Sequence, residues 1–265
     1  MFPQSFLYFA IGIYILSMGL ASIAGAGRGP ICLSLSKGGY LLATGLIGSL
    51  LISRLVANQT WLITGFENGF LLSIVILGVV YVFAEIMFSL SFGPIVLGGV
   101  SLVLSILAIV FNRELAVVDH IGFFLGGHTF LVFIALAAFS LSFIFSLLYL
   151  MEAYFIKEKA FRPLLFRLPS LELTNRLNDV ALWVGTIAFA GGFLKGLIVL
   201  QRDNPGTTLL SDPTYFLSGL VLVLYAALIV WKQKLLEGRT RLAYASIFVY
   251  IVFLCVVCLA HSTSA

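Results

Sequence analysis

The sequence predicts an all-α membrane protein, a bundle of about eight transmembrane helices. Of its 265 residues, 61% are hydrophobic and 10% are charged, whereas a soluble domain has about 45–50% apolar and about 25% charged residues. The mean hydropathy is +1.14. Apolar stretches of about 20 residues, the length that crosses a bilayer as a helix, recur along the whole chain.

Eight apolar stretches are separated by segments that contain glycine, proline or charge. The first lacks a basic segment before it, so we expect a retained span and not a cleaved signal peptide. The third and fourth meet at Phe92-Gly93-Pro94, where proline suits the first turn of a helix. Residues 1–265 then form a single membrane domain with spans at about 6–25, 39–57, 66–90, 93–111, 128–155, 180–200, 214–232 and 241–261.

The basic residues predict the orientation. Of the 15 Lys and Arg, 11 lie in alternate loops, and the positive-inside rule makes those loops cytoplasmic and both termini extracytoplasmic. The net charge of +4 therefore reflects topology, and we expect no nucleic-acid partner. The 11 residues are Arg28 and Lys37 after span 1, Lys157, Lys159, Arg162, Arg167 and Arg176 after span 5, and Lys232, Lys234, Arg239 and Arg241 after span 7.

The loop between spans 5 and 6 is the longest cytoplasmic connection. From Ser170 it reads S-L-E-L-T-N-R-L-N-D, with a cap residue, an early acid and spaced leucines. This pattern is compatible with a short amphipathic helix on the inner membrane surface and equally with a solvated linker.

The three histidines fall on the same predicted face of the membrane. His120 and His128 precede or open span 5, and His261 closes span 8. Two imidazoles that meet at one face can be the axial ligands of a haem iron or part of a metal site. A histidine at this depth can also be a simple interfacial anchor.

Other polar residues at the same face suit a haem site. Arg54, Lys195 and Arg202 can pair with the two propionates, and Glu67 and Asp212 can orient the ligand imidazoles. Two of these residues have a plainer interpretation as well. The Lys195 side chain can extend so that its ammonium group reaches the membrane interface. The Glu67 carboxylate can simply interact favourably with the helix dipole at the N-terminus.

Several other kinds of site are not indicated. Cys255 and Cys258 form C-V-V-C, which is not a haem-attachment motif because Leu259 follows. The two cysteines are either small apolar residues of a membrane helix or a redox pair. Three histidines cannot build two stacked haems, and the sequence has no Walker A, H-E-x-x-H or G-x-S-x-G motif. We also identify no G-x-x-x-G stretch with polar partners that points to a transport pathway.

The chain resembles the cytochrome c assembly family (the CcsA/ResC/CcmC group), most closely its HemX-like branch, over about residues 60–265. The run G-H-T-F-L-V-F-I-A-L-A-A-F-S-L-S-F-I-F-S-L-L-Y-L-M-E at 127–152 is similar to the family's histidine-initiated helix. The matching short motifs are Phe66-Glu67-Asn68, Lys157-Glu158-Lys159, Leu168-Pro169-Ser170-Leu171, Asp212-Pro213 and the late His261.

Two departures change what the resemblance implies. The loop between the two histidine helices, 201–215, lacks the Trp-rich segment of haem-delivering members, and Trp231 stands near the place of an internal histidine that many members carry. The resemblance therefore implies haem binding or regulation and no synthase activity. Members of the HemX-like branch are implicated in controlling the amount of glutamyl-tRNA reductase.

From these observations we expect a multi-pass protein of the bacterial inner membrane that handles haem without catalysing a reaction. His128 and His261 would hold one non-covalent haem b, in cytochrome c maturation or haem homeostasis, with other maturation proteins as partners. One alternative is a haem-free regulator whose loop 157–179 recruits a tetrapyrrole-synthesis enzyme. Another is a small-molecule transporter with Lys195, Glu85 and Arg54 along its path. His120 is either an alternative ligand or an exposed loop residue.

Overall fold

A computed structural model describes residues 5–25, 30–57, 66–88, 93–111, 123–157, 170–203, 213–234 and 239–263. All of the secondary structure in these ranges is helical, and the eight helices are each long and apolar enough to cross a membrane. The all-α, eight-helix prediction is thus confirmed. The helices are α1 (Ser5–Gly25), α2 (Pro30–Ala57), α3 (Phe66–Phe88), α4 (Gly93–Val110), α5 (Phe123–Lys157), α6 (Leu171–Asp203), α7 (Pro213–Lys234) and α8 (Arg239–Thr263).

Helices α2, α5 and α6 are longer than the apolar stretches that predict them. Pro30 opens α2, so Lys37 lies inside the helix and not in a loop. The S-L-E-L-T-N-R-L-N-D segment is not a separate surface helix, because all but its first residue belong to α6. A hydropathy pattern reports only the part of a helix that suits hydrocarbon, and helices continue into the interface with polar residues.

The helices group into two compact units. The first unit contains α1–α4 and the last residues of α5, from Phe155, and the second contains the rest of α5 and α6–α8. The prediction of a single membrane domain is not tested by this grouping.

Buried tyrosines and serines form the core of the first unit. The rings of Tyr14 and Tyr81 lie on either side of Tyr40, with centroids 5.6 Å and 4.9 Å from it. Ser17 and Ser36 each donate a hydrogen bond to the other's backbone carbonyl, at 2.7 Å and 2.8 Å, and so join α1 to α2. Reciprocal hydroxyl bonds of this kind stabilise helix pairs in lipid, where apolar contacts alone give little driving force.

The second unit has an aromatic core. Phe139 of α5 stacks on Tyr225 of α7 with a centroid distance of 3.6 Å and an angle of 3° between the ring planes. Phe253 of α8 packs edge-on against Phe139, with a centroid distance of 5.2 Å. Gly185 of α6 leaves the room for this ring, because a Cβ atom there would lie 2.5 Å from the Phe139 side chain. Phe139 of α5 therefore packs against all three of the other helices of this unit.

Candidate functional site

His128 is the predicted ligand whose surroundings the structure describes in most detail. It lies in the second turn of α5, and its Nδ1 atom is 2.6 Å from the backbone carbonyl oxygen of Gly192 in α6. A carbonyl oxygen can only accept a hydrogen bond, so Nδ1 carries the proton and donates it. The neutral ring then has its lone pair on Nε2, the atom that remains free to bind a metal.

Two glycines of α6 allow the imidazole to lie this close to the neighbouring helix. A Cβ atom at Gly196 would be 2.9 Å from Cε1 and 3.0 Å from Nδ1 of His128, and one at Gly192 would be 3.1 Å from the Val132 side chain. Gly192 and Gly196 form a G-x-x-x-G stretch, the spacing that lets two membrane helices approach closely. The G-x-x-x-G spacing is visible in the sequence, but its contact with the His128 ring is not predicted by it.

Lys195 and Tyr215 complete this end of the second unit. The Lys195 Nζ atom would be 2.7 Å from a Cβ at Gly127, so the missing side chain there makes room for the ammonium group. The Tyr215 hydroxyl donates to the Gly196 carbonyl at 3.2 Å and ties the first turn of α7 to the same glycine. A lysine, an imidazole and a tyrosine hydroxyl thus lie within two turns of one another along the ends of α5, α6 and α7.

The helix register brings residue 261 to the level of residue 128. Helices α5 and α8 are antiparallel, with Ser140 hydrogen-bonded to Tyr250 at 2.8 Å and Ser142 to Ser246 at 3.1 Å. His128 precedes Ser140 by twelve residues, and His261 follows Tyr250 by eleven. At about 1.5 Å per residue these distances are ~18 Å and ~16 Å along the two axes. The His261 side chain lies outside the described part of the chain.

The remaining predicted site residues are divided between the two units. Arg54 and Glu67 lie in the first unit, where Arg54 Nη1 is 2.6 Å from the Glu67 carboxylate and 3.3 Å from Asn68 Oδ1. Arg202 is exposed at the end of α6, in the second unit. His120 and Asp212 lie outside the described residues. The suggested roles of Arg54 and Arg202 at propionates, and of Glu67 and Asp212 as orienting acceptors, stay predictions.

Other predicted candidates have specific surroundings too. Glu85, suggested for a transport path, is ion-paired with Lys37. Cys255 is exposed and Cys258 half-buried on α8, and both are free thiols. Over the described ranges, no three His, Cys, Asp or Glu side chains are grouped as a metal site would require.

The arrangement around His128 fits an axial haem ligand. Metal-ligating histidines almost always donate their second ring N–H to a carbonyl or carboxylate, which fixes the tautomer and raises the basicity of the ligating nitrogen. The Gly192 carbonyl serves in this way here. The same arrangement suits any metal that binds a neutral imidazole, and it also suits a histidine that only joins α5 to α6, so the ligand role of His128 stays a prediction.

Comparison with known proteins gives one relative. No family model and no solved structure matches the chain. Protein HemX of Brevibacillus brevis is 33% identical over 131 residues, which are 48% of this chain and 45% of that protein. The chain thus aligns with less than half the length of this relative, and over that part it is similar to HemX.

Proposed function

We propose that this multi-pass membrane protein handles haem, with His128 as one axial ligand and His261 as the other. The hydrogen bond from His128 Nδ1 to the Gly192 carbonyl is the observation that carries the proposal, because it prepares Nε2 as a ligand. The common level of residues 128 and 261 along α5 and α8 supports the pairing. The similarity to HemX over about half the chain makes haem the metal complex to test first.

In this proposal the protein contributes binding and orientation. His128 and His261 would hold the iron, and the bound haem would supply a redox-active or transferable iron–porphyrin. The Lys195 ammonium group lies against Gly127, the residue before His128, and could pair with a propionate. The role would lie in haem homeostasis or cytochrome c maturation, and no catalytic step is assigned to the protein.

The test is an absorption spectrum of the full chain, purified in detergent and titrated with haem. We expect a Soret band and split α and β bands on reduction, with both lost or weakened in His128→Ala and in His261→Ala. The proposed pair leaves out His120, so His120→Ala should keep the wild-type spectrum, and loss of the bands in that variant would make His120 a ligand. Full haem occupancy in both of the first two variants would exclude the pair.

A second candidate is the haem-free regulator. Helices α5 and α6 have 35 and 33 residues, or about 50 Å each, whereas the hydrocarbon core of a bilayer is about 30 Å thick. Unless the helices are strongly tilted, their ends around Lys157 and Leu171 therefore extend out of the hydrocarbon, with Glu172 and Arg176 exposed. Such an extension offers a polar surface to a soluble partner, for which a tetrapyrrole-synthesis enzyme is the candidate.

The two candidates respond differently to one variant. Replacing the basic residues Lys157, Lys159, Arg162 and Arg167 by Gln should abolish binding of purified glutamyl-tRNA reductase if the regulator proposal holds. The same variant should keep its haem spectrum if the haem proposal holds. Unchanged binding of the enzyme would reject the regulator, while the histidine variants decide the haem proposal independently.

A further inference from the structure

Glu152 differs from the other acidic residues that the structure describes. Four acidic side chains pair with a cation, and Glu152 is in no ion pair within the described ranges. Glu152 is also the most deeply buried of them, with 2% of the residue exposed. The four pairs are Lys37–Glu85, Arg54–Glu67, Arg176–Glu172 and Lys232–Asp179.

The hydrogen bonds of the Glu152 carboxyl are few. Thr174 of α6 lies 3.4 Å from Oε1, a long and weak hydrogen bond. The other oxygen, Oε2, is fully buried, and no described residue hydrogen-bonds to it. Burial favours the neutral acid over a carboxylate that has neither a cation nor good donors among the described residues. The protonated Glu152 carboxyl group can release its proton and take it up again.

A cluster of hydrogen-bonded polar side chains lies on α5, α6 and α8 in the same unit as Glu152. Asn178 of α6 accepts from Ser142 at 2.6 Å and donates to Ser146 at 3.1 Å. Both serines lie on α5, within three turns of Glu152, and Ser142 also contacts Ser246 of α8. Ionisable and hydroxyl groups in a row inside a membrane domain are typical of proton and ion pathways.

A small polar cavity lies at the same end of the unit. The space that the centre of a water molecule can occupy in it is about 10 Å³, which is room for about one water. Tyr149 is one turn before Glu152 on α5, and Asn175 follows Thr174 on α6. The cavity is lined by Tyr149, Asn175, Asn178, Lys232 and Ser246 together with Leu182, Leu228, Leu242 and Ala243.

The charged groups that the structure describes on the neighbouring helices do not neutralise a Glu152 carboxylate. Lys232 of α7 lies at the cavity, but its Nζ atom is 2.6 Å from Asp179 of α6. On α6, Glu172 and Arg176 pair with each other and are about three-quarters exposed. Arg241 at the start of α8 and Lys157 at the end of α5 are exposed.

We propose that Glu152 is a proton-binding site, reached through the polar cavity from the end of the second unit at which α6 begins. Uptake converts the carboxylate and a hydronium ion into the carboxylic acid and water, and release reverses this. The site is separate from His128, 24 residues away along α5, or ~36 Å at about 1.5 Å per residue. The proposal therefore stands whether or not haem is bound.

Infrared spectroscopy of the purified full chain in lipid nanodiscs tests the site. We expect a C=O stretching band of a protonated carboxylic acid at neutral pH that is lost in Glu152→Gln. Glu85→Gln, which removes an ion-paired acid, is the matched control and should keep the band. A wild-type protein without the band, or a band that persists in Glu152→Gln, overturns the proposal.

Two milder variants keep the test decisive if Glu152→Gln does not fold. Thr174→Val removes the hydroxyl next to Oε1 and should shift the frequency of the same band. Asn175→Leu narrows the cavity and should slow the exchange of the carboxylic proton after transfer to D₂O. An unshifted band in Thr174→Val would show that the acid is not Glu152, and unchanged exchange in Asn175→Leu would reject the cavity as the route.

Discussion

His128 shows how a helix surface without side chains can prepare a histidine for ligand binding. The imidazole lies against Gly192 and Gly196, and the Gly192 carbonyl accepts its Nδ1 proton. A backbone carbonyl cannot rotate away or ionise as a side-chain acceptor can, so the tautomer is fixed by the helix itself. Lys195 belongs to the same turn of α6. The identity of residues 192–196 therefore matters as much as the identity of residue 128.

We expect Gly196→Ala to displace the His128 ring, because the new methyl group would be 2.9 Å from Cε1 and 3.0 Å from Nδ1. Loss of the bond to Gly192 should redistribute the proton between the ring nitrogens. It should also weaken haem binding by about 10- to 100-fold, the usual effect of removing a ligand's supporting hydrogen bond. The measurements are ¹⁵N shifts of labelled histidine and a haem titration.

Gly191→Ala is the matched control for this prediction. A Cβ atom at Gly191 would be 3.5 Å from the Leu131 side chain, an ordinary contact. This variant should keep both the histidine shifts and the haem affinity of the wild type. Equal effects of the two substitutions would mean that the general packing of α5 on α6, and not the ring position, is what Gly196 protects.

Helices α2 and α3 carry an ion pair near each of their ends. Arg54–Glu67 and Lys37–Glu85 are separated by 17 residues on α2 and 18 residues on α3, or ~26 Å, close to the thickness of the hydrocarbon core. A charge at membrane depth is costly unless it is paired. Both pairs therefore lie where the helices leave the hydrocarbon, and they fix the register of the hairpin.

Breaking the Arg54–Glu67 pair should destabilise the first unit. The two side chains are 21% and 13% exposed, so the cost of Glu67→Gln should fall between the about 0–1 kcal/mol of a surface pair and the about 3–5 kcal/mol of a buried one. Thermal unfolding in detergent should show a lower Tm. The exchanged pair, Arg54→Glu with Glu67→Arg, should recover at least half of the loss. A double variant no more stable than the single one would mean that the charges contribute nothing as a pair.

At this scale the sequence predicts where helices exist better than where they end or what they touch. Eight apolar stretches gave eight helices, but α2 and α6 each begin nine residues before the predicted spans. The pairing of Arg54 with Glu67 joins residues that were assigned separate roles at a haem. The contact between His128 and Gly192 joins residues 64 positions apart. Such contacts depend on the relative rotation and register of two helices, which hydropathy does not encode.

The whole molecule combines two units with different polar interiors. The first contains the Tyr14, Tyr40 and Tyr81 cluster, and the second contains His128 at one end and Glu152 toward the other. If both proposals hold, one four-helix unit binds a metal complex near one membrane face and a proton near the other. The orientation of the second unit in the membrane then decides which compartment supplies the metal complex and which supplies the proton. The charge distribution predicts that orientation.

We expect the segment 158–169 to lie in the cytoplasm and the segment 204–212 on the opposite side. The first contains Lys159, Arg162 and Arg167, whereas the second has no Lys or Arg, and positively charged loops are retained inside. Green fluorescent protein inserted into the first segment should fluoresce, and alkaline phosphatase inserted into the second should be active. If alkaline phosphatase were active in the first segment and green fluorescent protein fluoresced in the second, the topology would be the reverse of the predicted one. His128 would then face the cytoplasm, so haem binding there would have to serve cytoplasmic haem homeostasis and not cytochrome c maturation outside the membrane.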